Sequence, residues 1–109
     1  MFNEQEKSIL KKAIETYGVN AQIDVAVEEM SELTKALMKD RRNCIFGEDN
    51  LNAVLRSRES VADGIADAII MLEQLQMIFR NKKHVEEIKR QKIQRLENRL
   101  QEVQNEKQN

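Results

Sequence analysis

Almost nothing in this sequence would stop a helix: there is no proline, and there are only three glycines among 109 residues. Proline and glycine are the strongest breakers of helices, and Ala, Leu, Ile, Glu, Lys, Arg and Gln dominate the remainder. A chain of this kind reads as long helices with few joints. Apolar periodicity divides it into four stretches. The first runs from Asn3 to Tyr17, with Ile9, Leu10, Ala13, Ile14 and Tyr17 at helical spacing and Gly18 as its C-cap. The second starts near Asn20 as N-cap and runs to about Asp40. A polar loop is expected from Arg41 to Asn50. The third covers Leu51 to Phe79, with a break expected near Ser57, and Asn81 to Lys83 mark its end. The fourth spans His84 to Val103, and Gln104 to Asn109 reads as a frayed polar tail.

The third helix carries apolar residues on most of its circumference. Val61, Ile65, Ile69, Leu72 and Phe79 face one side, and Ile70, Met71, Leu75 and Ile78 face another. Such a helix belongs in the middle of a bundle or in an oligomer interface. The fourth has only a thin stripe of Val85, Ile88, Ile93, Leu96, Leu100 and Val103, suited to an edge or a short coiled-coil seam. The expected fold is therefore all-α, a four- to five-helix bundle with a buried central helix. It is read as a single domain over residues 1–103 that gains stability by forming oligomers.

Net charge is −1, which is not the balance of a nucleic-acid binder. Cys44 is the only cysteine, so no intramolecular disulfide forms and a reduced setting is the default. No apolar run reaches the length of a membrane span, and the acidic start from Met1 to Glu6 lacks a signal peptide's apolar core. A cytoplasmic protein with neither nucleic-acid nor membrane partners is expected.

Carboxylates belong on solvated faces, and two blocks here break that rule. On a wheel with Glu29 as origin, Val25, Ala36, Gln22, Leu33, Ala26, Leu37, Met30 and Ile23 fill an arc from about −40° to +120°. Glu29 lies inside that arc. Glu32 lies at its edge, and Glu28 leans toward the polar side. On the third helix, Asp67 has Ile70, Met71 and Ile78 within about 60°, and Asp63 sits one turn earlier on the same side. Ionised carboxylates gathered in partly apolar surroundings raise one another's pKa, so either cations neutralise them or some stay protonated. Oxygen-only donors suit a hard cation, Mg²⁺ or Mn²⁺, and the absence of His and Cys from both blocks argues against zinc. Structural ion pairing with Arg or Lys is the alternative.

The segment Gln22-Ile23-Asp24-Val25-Ala26-Val27-Glu28-Glu29-Met30-Ser31-Glu32-Leu33, followed by Val61-Ala62-Asp63-Gly64-Ile65-Ala66-Asp67-Ala68-Ile69-Ile70-Met71-Leu72, resembles the MazG-like branch of the all-α nucleotide pyrophosphatases. The likeness runs from about Tyr17 to Leu100. It implies a helical homodimer or homotetramer that uses Mg²⁺ to split a nucleoside triphosphate into monophosphate and pyrophosphate. The family pattern is Glu-Glu-x-x-Glu, a spacer, then Glu-x-x-Asp. Carried over, Glu29, Glu32 and Asp67 would be metal ligands, with Glu29 or Glu32 activating water and Glu28 supporting them. Gly64 stands where the pattern has its other Glu. Asp63 is the nearest replacement, water could take the place, or the site is impaired and binds without turnover. Lys92, Arg95, Lys39 and Arg42 are the candidate phosphate contacts, and Gln22 is the candidate for base or sugar. His84 reads as a helix-start residue and Cys44 as packing.

Overall fold

The computed structural model describes residues 1–46 and 51–108. The described residues are all helical, with no strand: α1 (Glu4–Tyr17), α2 (Val19–Phe46), α3 (Leu51–Phe79) and α4 (Lys82–Gln108). A four- to five-helix bundle was expected, and four helices are present among the described residues. Their ends differ in ways that the caps explain. At α1 the Asn3 side chain accepts from the Glu6 amide at 2.7 Å while Glu6 accepts from the Asn3 amide at 2.9 Å, a reciprocal capping box.

Gly18 performs two tasks. Its amide donates to the Ile14 carbonyl at 2.8 Å and ends α1, at a φ of 97° that an L side chain would resist. Its carbonyl then accepts from the Gln22 amide at 3.1 Å and opens α2. This is why α2 starts at Val19 and Asn20 is not its cap. Asn81 plays the same opening part for α4, its carbonyl accepting from Val85 at 2.9 Å, so that helix begins at Lys82 and not at His84. The loop expected from Arg41 is helical through Phe46, and its remainder, 47–50, lies outside the described residues. No break occurs at Ser57. Its hydroxyl donates to the Val54 carbonyl within a continuous helix. The tail expected to fray from Gln104 stays helical to Gln108.

Two compact units result, Met1–Ile78 and Phe79–Asn109. In the first, α2 and α3 form an antiparallel hairpin whose register is fixed by side chains. Gln22 meets Gln74, Glu29 meets Asp67, Leu33 meets Gly64, Asp40 meets Ser57, and Asn43 reaches the Ala53 carbonyl. Each step up α2 is matched by an equal step back along α3. Helix α1 packs on α2, and Gln74 donates to the Leu10 carbonyl at 3.1 Å, tying α1 to α3. Gly64 is buried against Leu33 of α2. A Cβ there would meet Leu33 Cδ1 at 3.1 Å and Leu33 Cα at 3.3 Å.

The enclosed core is thin. Ala26 and Met71 are its buried apolar residues, with Gln22, Ser57, Glu73 and Gln74 buried beside them. Helix α3 was expected to be enclosed, and it is so only in part: Met71, Glu73 and Gln74 are buried. Ile65, Ile69, Ile70 and Leu72 remain exposed. The second unit is α4, an amphipathic helix with Val85, Ile88, Ile93 and Leu96 on one strip and a Glu86–Lys89 ion pair of 2.7 Å. Among the described residues no helix is long and apolar enough to cross a membrane.

Candidate active site: an acidic cleft on the helical hairpin

One side of the hairpin opens into a cleft of about 810 Å³. Helix α2 contributes Glu29, Glu32, Lys35, Ala36 and Lys39 to it. Helix α3 contributes Arg56, Glu59, Ser60, Asp63, Gly64 and Asp67. These residues recur at three- and four-residue intervals, so each helix presents a single face to the cleft. Antiparallel pairing brings the two faces together, with Glu29 of α2 beside Asp67 of α3 toward one end and Lys39 of α2 and Arg56 of α3 toward the other.

The acids crowd. Glu29 is half-buried, and its carboxyl is held above the ordinary carboxylate range. The largest cause is its hydrogen bond with the Asp67 carboxyl, followed by partial loss of water and the charges of Asp67, Glu32 and Asp63. Glu32 is exposed and paired with Lys35 at 3.4 Å. Five carboxylates (Glu29, Glu32, Glu59, Asp63 and Asp67) line the cleft with three cations, Lys35, Lys39 and Arg56.

Of the residues singled out in sequence, the hairpin gathers Glu29, Glu32, Asp63, Asp67 and Lys39, with Gly64 in the floor between the helices. Glu28 is exposed outside the cleft lining, as is Arg42. Gln22 is elsewhere. Its amide is buried and donates to Gln74 at 2.9 Å, so its inward position serves packing, and it does not line the cleft. Lys92 lies on the apolar strip of α4 and Arg95 is exposed on the same helix, both in the second unit. His84 is exposed near the start of α4.

Lys35, Arg56, Glu59 and Ser60 were not singled out. Their signal was available, because Lys35 and Lys39 lie one turn apart and Arg56, Ser60, Asp63 and Asp67 share one face of α3. Cys44 belongs to a separate cluster. Asp40 accepts from Ser57 Oγ and from Arg58 Nε, both at 2.8 Å, and Arg58 also donates to Cys44 Sγ at 3.4 Å. The Ser57 hydrogen bond, then Arg58, holds the Asp40 carboxyl below its ordinary range.

Among the described residues no three His, Cys, Asp or Glu side chains stand close enough, as they lie, to hold a metal ion. The donor set still fits one kind of ion. It is all oxygen, comes from two facing helices, and includes a carboxyl that its neighbours force toward protonation. A hard divalent cation removes that strain, and a soft one finds no ligand here. No protein-family model matches the chain, and no curated protein or solved structure does either.

Proposed function

We propose that the cleft binds a nucleoside triphosphate with Mg²⁺ and hydrolyses it between the α and β phosphates, releasing the monophosphate and pyrophosphate. One observation carries the reading: acids from two helices and cations from the same two helices line a single open cleft. A polyphosphate with its metal needs both signs of charge in one place, and a simple solvated acidic face needs neither the cations nor the crowding of its carboxylates. The likeness of the two acidic blocks to the MazG-like pattern points to the same chemistry.

Glu29, Glu32 and Asp67 would hold the ion, with Asp63 as the carboxylate nearest to the place of the Glu that Gly64 replaces. A bound divalent cation neutralises phosphate oxygens and makes the α phosphorus a better electrophile. The chain supplies the rest. Lys39 and Arg56 meet the phosphate oxygens that develop charge as the bond between the α phosphorus and the bridging oxygen breaks. Glu29, whose carboxyl its acidic neighbours hold above the ordinary range, takes the proton of the attacking water. Lys35 holds Glu32 in place. Nucleotide, Mg²⁺ and the lone reduced cysteine suit a cytoplasmic homo-oligomer.

The test is incubation with a nucleotide panel and Mg²⁺, following monophosphate and pyrophosphate. Turnover is expected from the native chain, with a loss of about a hundredfold or more in Glu29→Gln, the usual range for removing a general base. No product from any nucleotide would sink the hydrolase reading. Gly64 favours a second reading, binding without turnover, because the hairpin closes over the position where the family pattern has its ligand. That reading predicts nucleotide binding by calorimetry in the absence of product.

A further inference from the structure

The charges of the cleft are sorted along its length. Glu29 meets Asp67 at one end, and Glu32 and Asp63 follow about one turn further along their helices. Lys39 and Arg56 stand at the other end, with Lys35 between. Ten residues separate Glu29 from Lys39, a rise of about 15 Å along α2. Lys35 is tied to Glu32 at 3.4 Å, whereas among the described residues Lys39 and Arg56 have no ion-pair partner. One end therefore suits a hard cation and the other an anion.

That order fixes which way a polyphosphate lies. The reacting phosphorus belongs with Glu29 and Asp67, and the leaving phosphates run toward Lys39 and Arg56. Whatever else the reacting phosphorus carries then projects past the Glu29–Asp67 end, outside the charged lining. Nothing in the lining is suited to hold it. Among the described residues of the cleft only Ala36, Ser60 and Gly64 are uncharged, so there is no aromatic ring to stack on a base and no side-chain amide to read its edge. The Ser60 hydroxyl already donates to the Arg56 carbonyl at 3.1 Å. The amides of Gln22 and Gln74 are buried and turned to one another.

We propose that the cleft recognises the polyphosphate chain and not the nucleoside, so that inorganic triphosphate is a substrate alongside the nucleotides. This rests on the hydrolase reading of the cleft and names its substrate class, a linear triphosphate either bare or esterified. Water attacks a terminal phosphorus at the Glu29–Asp67 end, and Glu29 takes its proton. The bond from that phosphorus to its bridging oxygen breaks, and pyrophosphate leaves with the electron pair toward Lys39 and Arg56. The products are orthophosphate and pyrophosphate, the same leaving group as from a nucleotide. A site that hydrogen-bonds a substrate group rejects the analogue lacking it by about 10⁴-fold or more, and this cleft has no such contact to lose.

The test uses the full chain with Mg²⁺ in excess over phosphate. Inorganic triphosphate is compared with the nucleoside triphosphates of all four bases, and the phosphate products are read by ion chromatography. Its kcat/KM should lie within about tenfold of theirs, and theirs within about tenfold of one another. Calorimetry reads recognition without turnover: pyrophosphate should bind the native chain more tightly than a nucleoside monophosphate, and Arg56→Gln should weaken pyrophosphate. Nucleotide turnover with inorganic triphosphate left intact, or a preference of about a hundredfold among bases, overturns this inference and leaves the hydrolase reading standing. A monophosphate that binds more tightly than pyrophosphate, or pyrophosphate binding that ignores Arg56→Gln, does the same. No product from inorganic triphosphate or from any nucleotide takes both readings down.

Discussion

Glu29 is the residue on which the candidate site turns, and its protonation gives a test that needs no substrate. Its folded pKa lies above the ordinary value of 4.5 because Asp67, Glu32 and Asp63 crowd it. Above the folded pKa the repulsion is fully present and opposes folding. As pH falls through that value the native state takes up a proton, the repulsion fades, and stability rises until the unfolded chain protonates near 4.5. Glu29→Gln removes the charge at every pH. The variant should therefore melt higher than the native chain at neutral pH, with the difference closing below 4.5. Melting curves of both proteins across this range decide it, and a variant that melts lower at neutral pH would show that the cluster is not under charge strain. Gly64 is the contrasting case at this scale. As sequence it is a missing ligand. As structure it is the residue that lets α3 approach Leu33, and the sequence could not say so because the approach depends on a residue 31 positions away.

At the scale of elements, the wheel placed Glu29 inward, Glu32 at the edge and Glu28 outward; Glu29 is half-buried, while Glu32 and Glu28 are both exposed. Helix phase is local and reads directly from apolar spacing. The joints were harder, because caps are set by backbone carbonyls that any residue can supply. Gly18 and Asn81 each use one to start a helix. Hairpin register was also out of reach, since it rests on pairs such as Gln22 with Gln74, 52 residues apart. Gln74 is 2% exposed and joins three helices through Gln22 and the Leu10 carbonyl. Removing it strands the buried Gln22 donor, at about 1–3 kcal/mol for a group left without a partner, and cuts the tie to α1. Gln74→Leu should lose on that order of stability in urea unfolding. The double variant Gln22→Leu/Gln74→Leu should recover part of the loss, because the stranded donor is gone with it. A double variant that loses the sum of two singles would show that the pair does not act as a unit.

At the scale of the whole molecule, a thin core and an acidic cleft make stability unusually sensitive to whatever the cleft binds. Few side chains are fully enclosed, so the native chain stands on a small margin, and the crowded carboxylates subtract from it. A cation that binds only the folded hairpin adds free energy by mass action, about 2.7 kcal/mol at a hundred times its dissociation constant. For a unit this small that corresponds to a rise in melting temperature on the order of 10 °C. Mg²⁺ or Mn²⁺ should produce such a rise at constant ionic strength, saturating with concentration. Because the ion and the proton compete for the same carboxylates, the rise should shrink as pH falls through the Glu29 pKa. The ion should also be unable to reproduce it in Asp67→Asn, which removes a ligand from α3 while leaving α2 intact. General screening by salt would stabilise native and Asp67→Asn proteins alike, and an equal shift in the two would mean that the cleft collects counterions without holding a metal.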